Sequence, residues 1–376
     1  MDEKSITRKA DVRIVEVGPR DGLQNIKAAI PTSVKVELIS RLRKTGLGTI
    51  ELTSMVSPKA VPQLADARQL LSTREIQEFL QNEQIGHPVL VPNMKGLERA
   101  LELGVQEVAV FVSASEGFSR ANINCSVDEG LARSRQVAQK ALEAGLTMRG
   151  YVSCIFACPF DGQISPETVS RVVNDLLDMG CYEVSLGDTL GVGTAVGVKS
   201  LLRHLQDSGV PIDRLAGHFH DTYGQAVSNV WAAYECGVRV FDSSVAGLGG
   251  CPYCPGAKGN AATEDVVFLF DRAGIETGVD LDQLAVVGAW ISAQLAMPNG
   301  SRAGAALAAK QGIKEMSQSQ LQCGAFEQID QDDGLMSKAQ RDGSRLFQAG
   351  ISLRAFWQVC HLLWRSRHKV TMPLGL

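Results

Sequence analysis

Two histidines stand one residue apart in the run His218-Phe219-His220-Asp221. If this run closes a β-strand, side chains alternate across it, so both imidazoles face one way and can reach one ion. Imidazole joined by carboxylate and carbonyl oxygen suits an octahedral divalent cation such as Mg²⁺ or Mn²⁺. Zn²⁺ fits less well, because no cysteine lies at zinc-like spacing from the pair. Two surface histidines, or two tied up in hydrogen bonds, would show the same spacing. Far upstream, Gly18-Pro19-Arg20-Asp21-Gly22 sets a guanidinium beside a carboxylate. Its glycines and proline read as a turn; its charges read as an anion clamp next to a metal carboxylate. Two other motifs carry less. Cys251-Pro252-Tyr253-Cys254 has the form of a dithiol redox motif but lies in a glycine-rich stretch late in the chain. Gly191-Val192-Gly193, with Gly197 beyond, misses the spacing of a dinucleotide fingerprint.

The elements that must position these residues alternate along the chain. Eight β-rich runs occur, at Val12 to Val17, Thr49 to Leu52, Val89 to Val91, Glu107 to Val112, Arg149 to Ser153, Glu183 to Leu186, Leu215 to His218 and Arg239 to Asp242. Helical patterns separate them. Val34, Leu38 and Leu42 are four apart, with Gly46 after them. Ser126 and Glu129 form a capping box for a helix ending near Gly145. Ser165 and Pro166 read as an N-cap and first helical position, and Gly180 closes that helix. Eight β/α units in a row predict an α/β fold, a (β/α)8 TIM barrel over residues 1–310. An open doubly wound sheet is the alternative. In a barrel, the first, seventh and eighth strands are neighbours, so Asp21 and the histidines could meet on the rim formed by the strands' C-terminal ends. Beyond Lys310 the composition changes. Residues 311–343 read as a linker, and 344–368, with Trp357 and Trp364, as an amphipathic helix, so 311–376 form a C-terminal extension.

The 376 residues are 45% hydrophobic and 21% charged, an ordinary globular composition that excludes disorder or coiled coil for the whole chain. With 37 basic and 41 acidic residues, no basic excess supports nucleic-acid binding. No apolar run is long enough for a transmembrane helix. The start MDEKSITRKA has no apolar core. With nine cysteines, an odd number, it predicts a reducing, cytoplasmic setting; a mitochondrial one is the alternative.

Long ordered segments resemble the hydroxymethylglutaryl-CoA lyase family: VEVGPRDGLQN (15–25), IELTSMVSPK (50–59), RGYVSC (149–154), GCYEVSLGDTLGVGT (180–194), GHFHDTYGQA (217–226), DSSVAGLGGCPY (242–253) and GAKGNAATEDVV (256–267). The resemblance runs over roughly residues 11 to 310. It implies cleavage of 3-hydroxy-3-methylglutaryl-CoA to acetyl-CoA and acetoacetate with a divalent metal, Mg²⁺ or Mn²⁺. It implies Asp21, His218, His220 and Asn260 as metal ligands, with Glu264 supporting them. It implies Arg20 near the thioester carbonyl, Glu51 and Asp188 lining the site, and Cys251 on a mobile loop. Gln24 is expected to contact substrate with Arg20. Asp188 or a metal-linked histidine is the expected base, and Cys251 the expected proton donor to the enolate. A Cys251–Cys254 disulfide would be an oxidative off-switch. Phe219, where the family commonly has a smaller residue, should point away from the metal. The alternatives within the same barrel group are an aldolase, an acyl-CoA condensing enzyme, or a lyase for a close branched hydroxyacyl-CoA. A non-catalytic barrel is disfavoured because every expected site residue is present. The expected partners are the acyl-CoA substrate and a second copy of the chain in a homodimer.

Overall fold

The computed structural model describes residues 10–82, 85–250 and 259–310. The expected tail over 311–376, and both Cys251 and Cys254, lie outside the described residues. Each β-rich run becomes a strand: β1 (Arg13–Glu16), β2 in two pieces (Thr49–Ile50 and Thr53–Ser54), β3 (Val89–Leu90), β4 (Glu107–Ser113), β5 (Thr147–Ser153), β6 (Glu183–Asp188), β7 (Leu215–Phe219) and β8 (Val240–Ser243). All pair in parallel, each with its sequence neighbours, and β1 also pairs with β8 through Arg13↔Val240 to Glu16↔Ser243. The ring closes in β2. Its first piece pairs with β1 and its second with β3. The two residues between them bond outward as well: Glu51 donates its N–H to Glu16 O (2.9 Å), and Leu52 to Pro88 O (3.0 Å). Both sides of β2 are therefore bonded, no sheet edge is left, and the open-sheet alternative falls.

The helices follow the sequence signals. They include α1 (Thr32–Lys44), α2 (Arg74–Leu80), α3 (Met94–Glu102), α4 (Val127–Glu143), α5 (Pro166–Asp178), α6 (Ala195–Asp207), α7 (Ala226–Glu235), α8 (Thr263–Arg272) and α9 (Leu281–Gln294), with further short helices at Ala67–Leu71 and Glu116–Ile123. The Ser126–Glu129 capping box forms in full at the start of α4. Ser165 accepts from Thr168 N with Pro166 at the first helical position of α5. Gly46, after α1, has φ +91°, and a Cβ there would sit 2.2 Å from Gly278 O, so only glycine fits. Among the described residues, no helix is long and apolar enough to cross a membrane.

The hydrophobic core lies mainly between strands and helices. Ile14, Leu38, Leu42, Val110, Leu176, Leu186, Phe219, Phe241 and Phe270 belong to one continuous buried cluster. Two of the small clusters apart from it are Val15 with Val17, Ala216 and Val240, and Leu90 with Ala109 and Tyr151. Strand parity turns these inward, on the same face as Arg149, Glu183, Ser185, His218 and Asp242. The barrel interior is thus largely polar, where bulky branched side chains are usual.

His87, just before β3, is buried at 5% exposure, and its Nε2 has no hydrogen-bond partner among the described residues. Burial, helped by the charge of Arg43, pushes its pKa down to about 4. The folded state then stays neutral while the unfolded state takes up a proton below about pH 6.5. Stability from this group is full above pH 6.5 and is lost as pH falls toward 4, about 3 kcal/mol over the whole range. The thermal midpoint of His87→Asn should therefore fall less steeply than that of the unchanged protein between pH 6.5 and 4.5. Equal slopes would remove His87 as the source.

Candidate metal centre and active site

The turn after β1 sets the first two groups. Arg20, Asp21 and Gly22 all donate their N–H to Val17 O (3.2, 2.7 and 3.2 Å), forming one π-helical turn over Gly18–Gly22. Such turns recur at functional sites. Arg20 is buried; its Nε donates to Glu51 Oε2 (2.7 Å) and its Nη1 to Asp21 Oδ1 (2.6 Å), and its guanidinium lies 5.4 Å from the Tyr151 ring centre. Burial works against both charges, but Glu51 and Asp21 hold Arg20 firmly protonated. Arg20 and the two imidazoles in turn keep the Asp21 carboxyl below its ordinary range.

The histidines end β7. His218 and His220 both point inward, and Phe219 packs into the outer core, as alternation requires. His220 Nδ1 meets the Thr189 carbonyl oxygen at 2.9 Å. A carbonyl only accepts, so Nδ1 carries the proton. His218 Nδ1 meets Asp242 Oδ2 at 3.0 Å. Burial would raise the Asp242 carboxyl, but Arg149 and His218 hold it far below the usual range, so it too accepts. In the neutral form each ring is left with an Nε2 lone pair, and the two Nε2 atoms face each other at 3.3 Å. Two lone pairs at that distance repel unless a proton or cation stands between them. Asp21 completes the set: its oxygen and the two imidazole nitrogens lie within 4.8 Å of one another.

Asn260 approaches from the other side. Its Nδ2 donates to Asp21 Oδ2 (2.8 Å) and Leu248 O (3.1 Å), and its Oδ1 is buried with no hydrogen-bond partner among the described residues. An orphaned carbonyl oxygen beside a carboxylate and two imidazoles fits a divalent cation well. The chain reaches Asn260 through a tight passage. Gly249 has φ +123°, and a Cβ there would lie 2.6 Å from Asn260 Nδ2. Ala246 is left-handed (φ +56°), and two buried carboxyl groups hold that bend: Glu264 accepts from Ala246 N (2.9 Å), and Glu16 from Val245 N (2.9 Å).

Among the expected residues, Arg20, Asp21, Glu51, His218, His220 and Asn260 come together. Gln24 joins them through Asp21 Oδ1, to which it donates at 2.7 Å. Glu264 reaches the bend at Ala246, with no bond to a metal-binding side chain among those described. Asp188, at the end of β6, accepts from Val192 N (3.2 Å) and Gly193 N (2.8 Å). Burial pushes its pKa up to about 6 against those bonds. The Gly191-Val192-Gly193 loop therefore wraps a carboxylate of its own chain. Sequence reasoning missed Asp242, Arg149, Ser185 and Glu16. Their signal was a charge or hydroxyl inside a run expected to be a buried strand, which only a partner in a neighbouring strand makes tolerable.

A model of the family described as HMGL-like matches residues 11–291. The chain is 53% identical over 296 residues to a mitochondrial hydroxymethylglutaryl-CoA lyase of Arabidopsis thaliana, a match covering 79% of this chain but 62% of that longer protein. It is 51% identical to the 3-hydroxy-3-isohexenylglutaryl-CoA/hydroxy-methylglutaryl-CoA lyase of Pseudomonas aeruginosa, over 80% of this chain and 98% of that one. A crystal structure of hydroxymethylglutaryl-CoA lyase from Pseudomonas aeruginosa superposes with a TM-score of 0.76 at 51% identity, covering 80% and 98% of the two chains.

The donor set makes a direct prediction. Asp21→Ala should raise the dissociation constant for Mn²⁺ by at least roughly tenfold, measured by calorimetry on the folded protein. An unchanged constant would remove Asp21 from the ligands.

Proposed function

Because the chain belongs to the HMGL-like family, we propose that it is a lyase cleaving 3-hydroxy-3-methylglutaryl-CoA to acetyl-CoA and acetoacetate. The observation that carries this reading is the meeting of Asp21, His218 and His220 beside Arg20 on one rim, in a chain about half identical to lyases so named. Asp21, His218, His220 and Asn260 would hold the cation. When bound, a divalent ion supplies Lewis acidity that makes a substrate hydroxyl proton easier to remove.

The remaining chemistry belongs to the chain. A base takes the proton of the tertiary hydroxyl, the carbon–carbon bond toward the thioester breaks, and its electron pair becomes the enolate of acetyl-CoA. The former carbinol carbon becomes the ketone of acetoacetate. Asp188 suits the base, since a carboxyl near 6 holds little proton at neutral pH yet accepts one readily; a metal-linked histidine is the other candidate. Arg20 suits the stabiliser of the enolate. Its Nε and Nη1 are committed to Glu51 and Asp21, which leaves Nη2 for the thioester oxygen. Glu51 fixes that guanidinium, and Gln24, bonded to Asp21, stands where it can steady substrate. Cys251 would return a proton to the enolate carbon, so protons balance. Gly247 and Gly249, both at positive φ, give the segment before it freedom to close.

The relative in Pseudomonas aeruginosa, a 3-hydroxy-3-isohexenylglutaryl-CoA/hydroxy-methylglutaryl-CoA lyase, favours a second reading, in which a longer branched acyl group is also accepted. Condensation in the reverse direction has no such support. The proposal extends to a homodimer, for which exposed Phe268 and Val286 on the barrel flank offer apolar area, and to a cytoplasmic setting, which the odd count of nine cysteines suits.

The test is turnover of hydroxymethylglutaryl-CoA by reduced protein with Mg²⁺ or with chelator, quantifying both products. Metal-dependent release of acetyl-CoA and acetoacetate is expected; none from folded protein would overturn the reading. Arg20→Gln should keep the fold and lower turnover by roughly a hundredfold or more. Near-normal turnover would take Arg20 out of the chemistry.

A further inference from the structure

His218 and His220 are pinned by different means. His220 gives its Nδ1 proton to a neutral backbone carbonyl, that of Thr189. His218 gives its own to Asp242, a buried carboxylate on the neighbouring strand, directly opposite in the β7–β8 register. Asp242 is fully engaged. Its Oδ1 accepts from Arg149 Nη2 (2.7 Å); its Oδ2 accepts from Arg149 Nη1 (3.2 Å), Ser185 Oγ (2.7 Å) and His218 (3.0 Å). Arg149, with no exposed surface, is steadied in turn by Glu183 Oε1 on Nε (2.8 Å), and Glu183 pairs with Arg13 near the opposite mouth of the barrel. A carboxylate gripped by a guanidinium fork and a hydroxyl cannot rotate, and its lone pairs are spoken for. Inside the barrel only the Nδ1–H tautomer of His218 turns a lone pair toward Asp21 and His220.

From this geometry we infer that Asp242, held by Arg149 and Ser185, is the positioning residue that keeps His218 ready to bind the ion. The inference rests on the metal reading given above and adds the device that makes it work. The ionic column from Arg13 to Asp242 is then the inner support of the metal centre rather than a stability element alone. An asparagine at 242 breaks the logic without changing the shape. Its carbonyl can serve Arg149, and its amide nitrogen then donates to His218 Nδ1. That forces the proton to Nε2 and blocks the lone pair, as an Asp→Asn change does beside the histidine of a serine protease.

The probe is Mn²⁺ titrated into the full chain by calorimetry, with circular dichroism and thermal melting to report the fold. Asp242→Asn is expected to raise the dissociation constant roughly 10- to 100-fold while the spectrum remains that of a folded barrel. Nitrogen NMR of the metal-free protein at pH 8.5 gives a second readout that needs no variant. The unchanged protein should show His218 protonated at Nδ1, and a folded Asn variant should show it at Nε2. Equal Mn²⁺ affinity in a folded variant, or an Nε2-protonated His218 in the unchanged protein, would overturn the inference and leave the metal reading standing. An unchanged protein that binds no Mn²⁺ would overturn the metal reading itself, and this inference with it.

Discussion

One adjacency governs the molecule: β1 lies between β2 and β8. A parallel sheet with free edges leaves backbone N–H and C=O groups unpaired, and closing the ring satisfies them. Here closure falls in β2, where the N–H groups of Glu51 and Leu52 reach to opposite neighbours and Thr49 forms a bridge to Gly86. The same step carries Glu51 to the Arg20 guanidinium. The pairing of β1 with β8 brings the turn after β1 against the end of β8, so Asp21 meets Asn260 and Glu16 meets Val245. Without the β1–β8 pairing the ligands would lie on opposite margins of the sheet. The backbone requirement and the chemical requirement are met by one set of contacts.

Closure leaves a narrow interior, and this chain fills it with charge. Arg20 lies between Glu51 and Asp21, and Arg149 between Glu183 and Asp242. Both guanidiniums rest against the Tyr151 ring, at 5.4 and 4.9 Å from its centre. Stripping water from such groups is costly, and a buried ion pair is weak evidence for stability. Their value lies in fixing directions. A guanidinium fork has one good arrangement on a carboxylate, so each side chain it touches is held in a single rotamer. The outer core, with Phe241 and Phe270 at 5.5 Å, supplies the hydrophobic stabilisation that the interior gives up.

The fold was legible because its signals are local. β-rich runs, a capping box at Ser126 and glycines at helix ends follow from chemistry within a few residues, and eight repeats of the unit imply closure. The His218–His220 pair was legible for the same reason, since strand alternation alone puts both rings on one face. Asn260 was legible only by resemblance, because nothing local distinguishes an asparagine after Gly259. The supports were not legible. Arg149 and Asp242 stand out as charges within β-rich runs, but the partners that make them tolerable lie on other strands and appear only once the barrel closes. Glu264, which resemblance gave as a support of the metal ligands, holds the left-handed bend at Ala246.

The separation between the site's two halves has a consequence for biosynthesis. Asp21 and Asn260 are 239 residues apart, and Glu16 and Thr263 are 247 apart. At synthesis rates of about 5–20 residues per second, the first ligand emerges roughly 10 to 50 seconds before the last. Through that interval β1 can pair with β2, while its other flank, later taken by β8, stays open. The nascent chain therefore carries an unpaired strand edge, and a Glu16 without its Val245 and Thr263 donors, until its final β/α unit appears. The ribosome-bound stage, more than the finished barrel, is where this protein is most exposed to aggregation, and where chaperone contact with its first strand matters most.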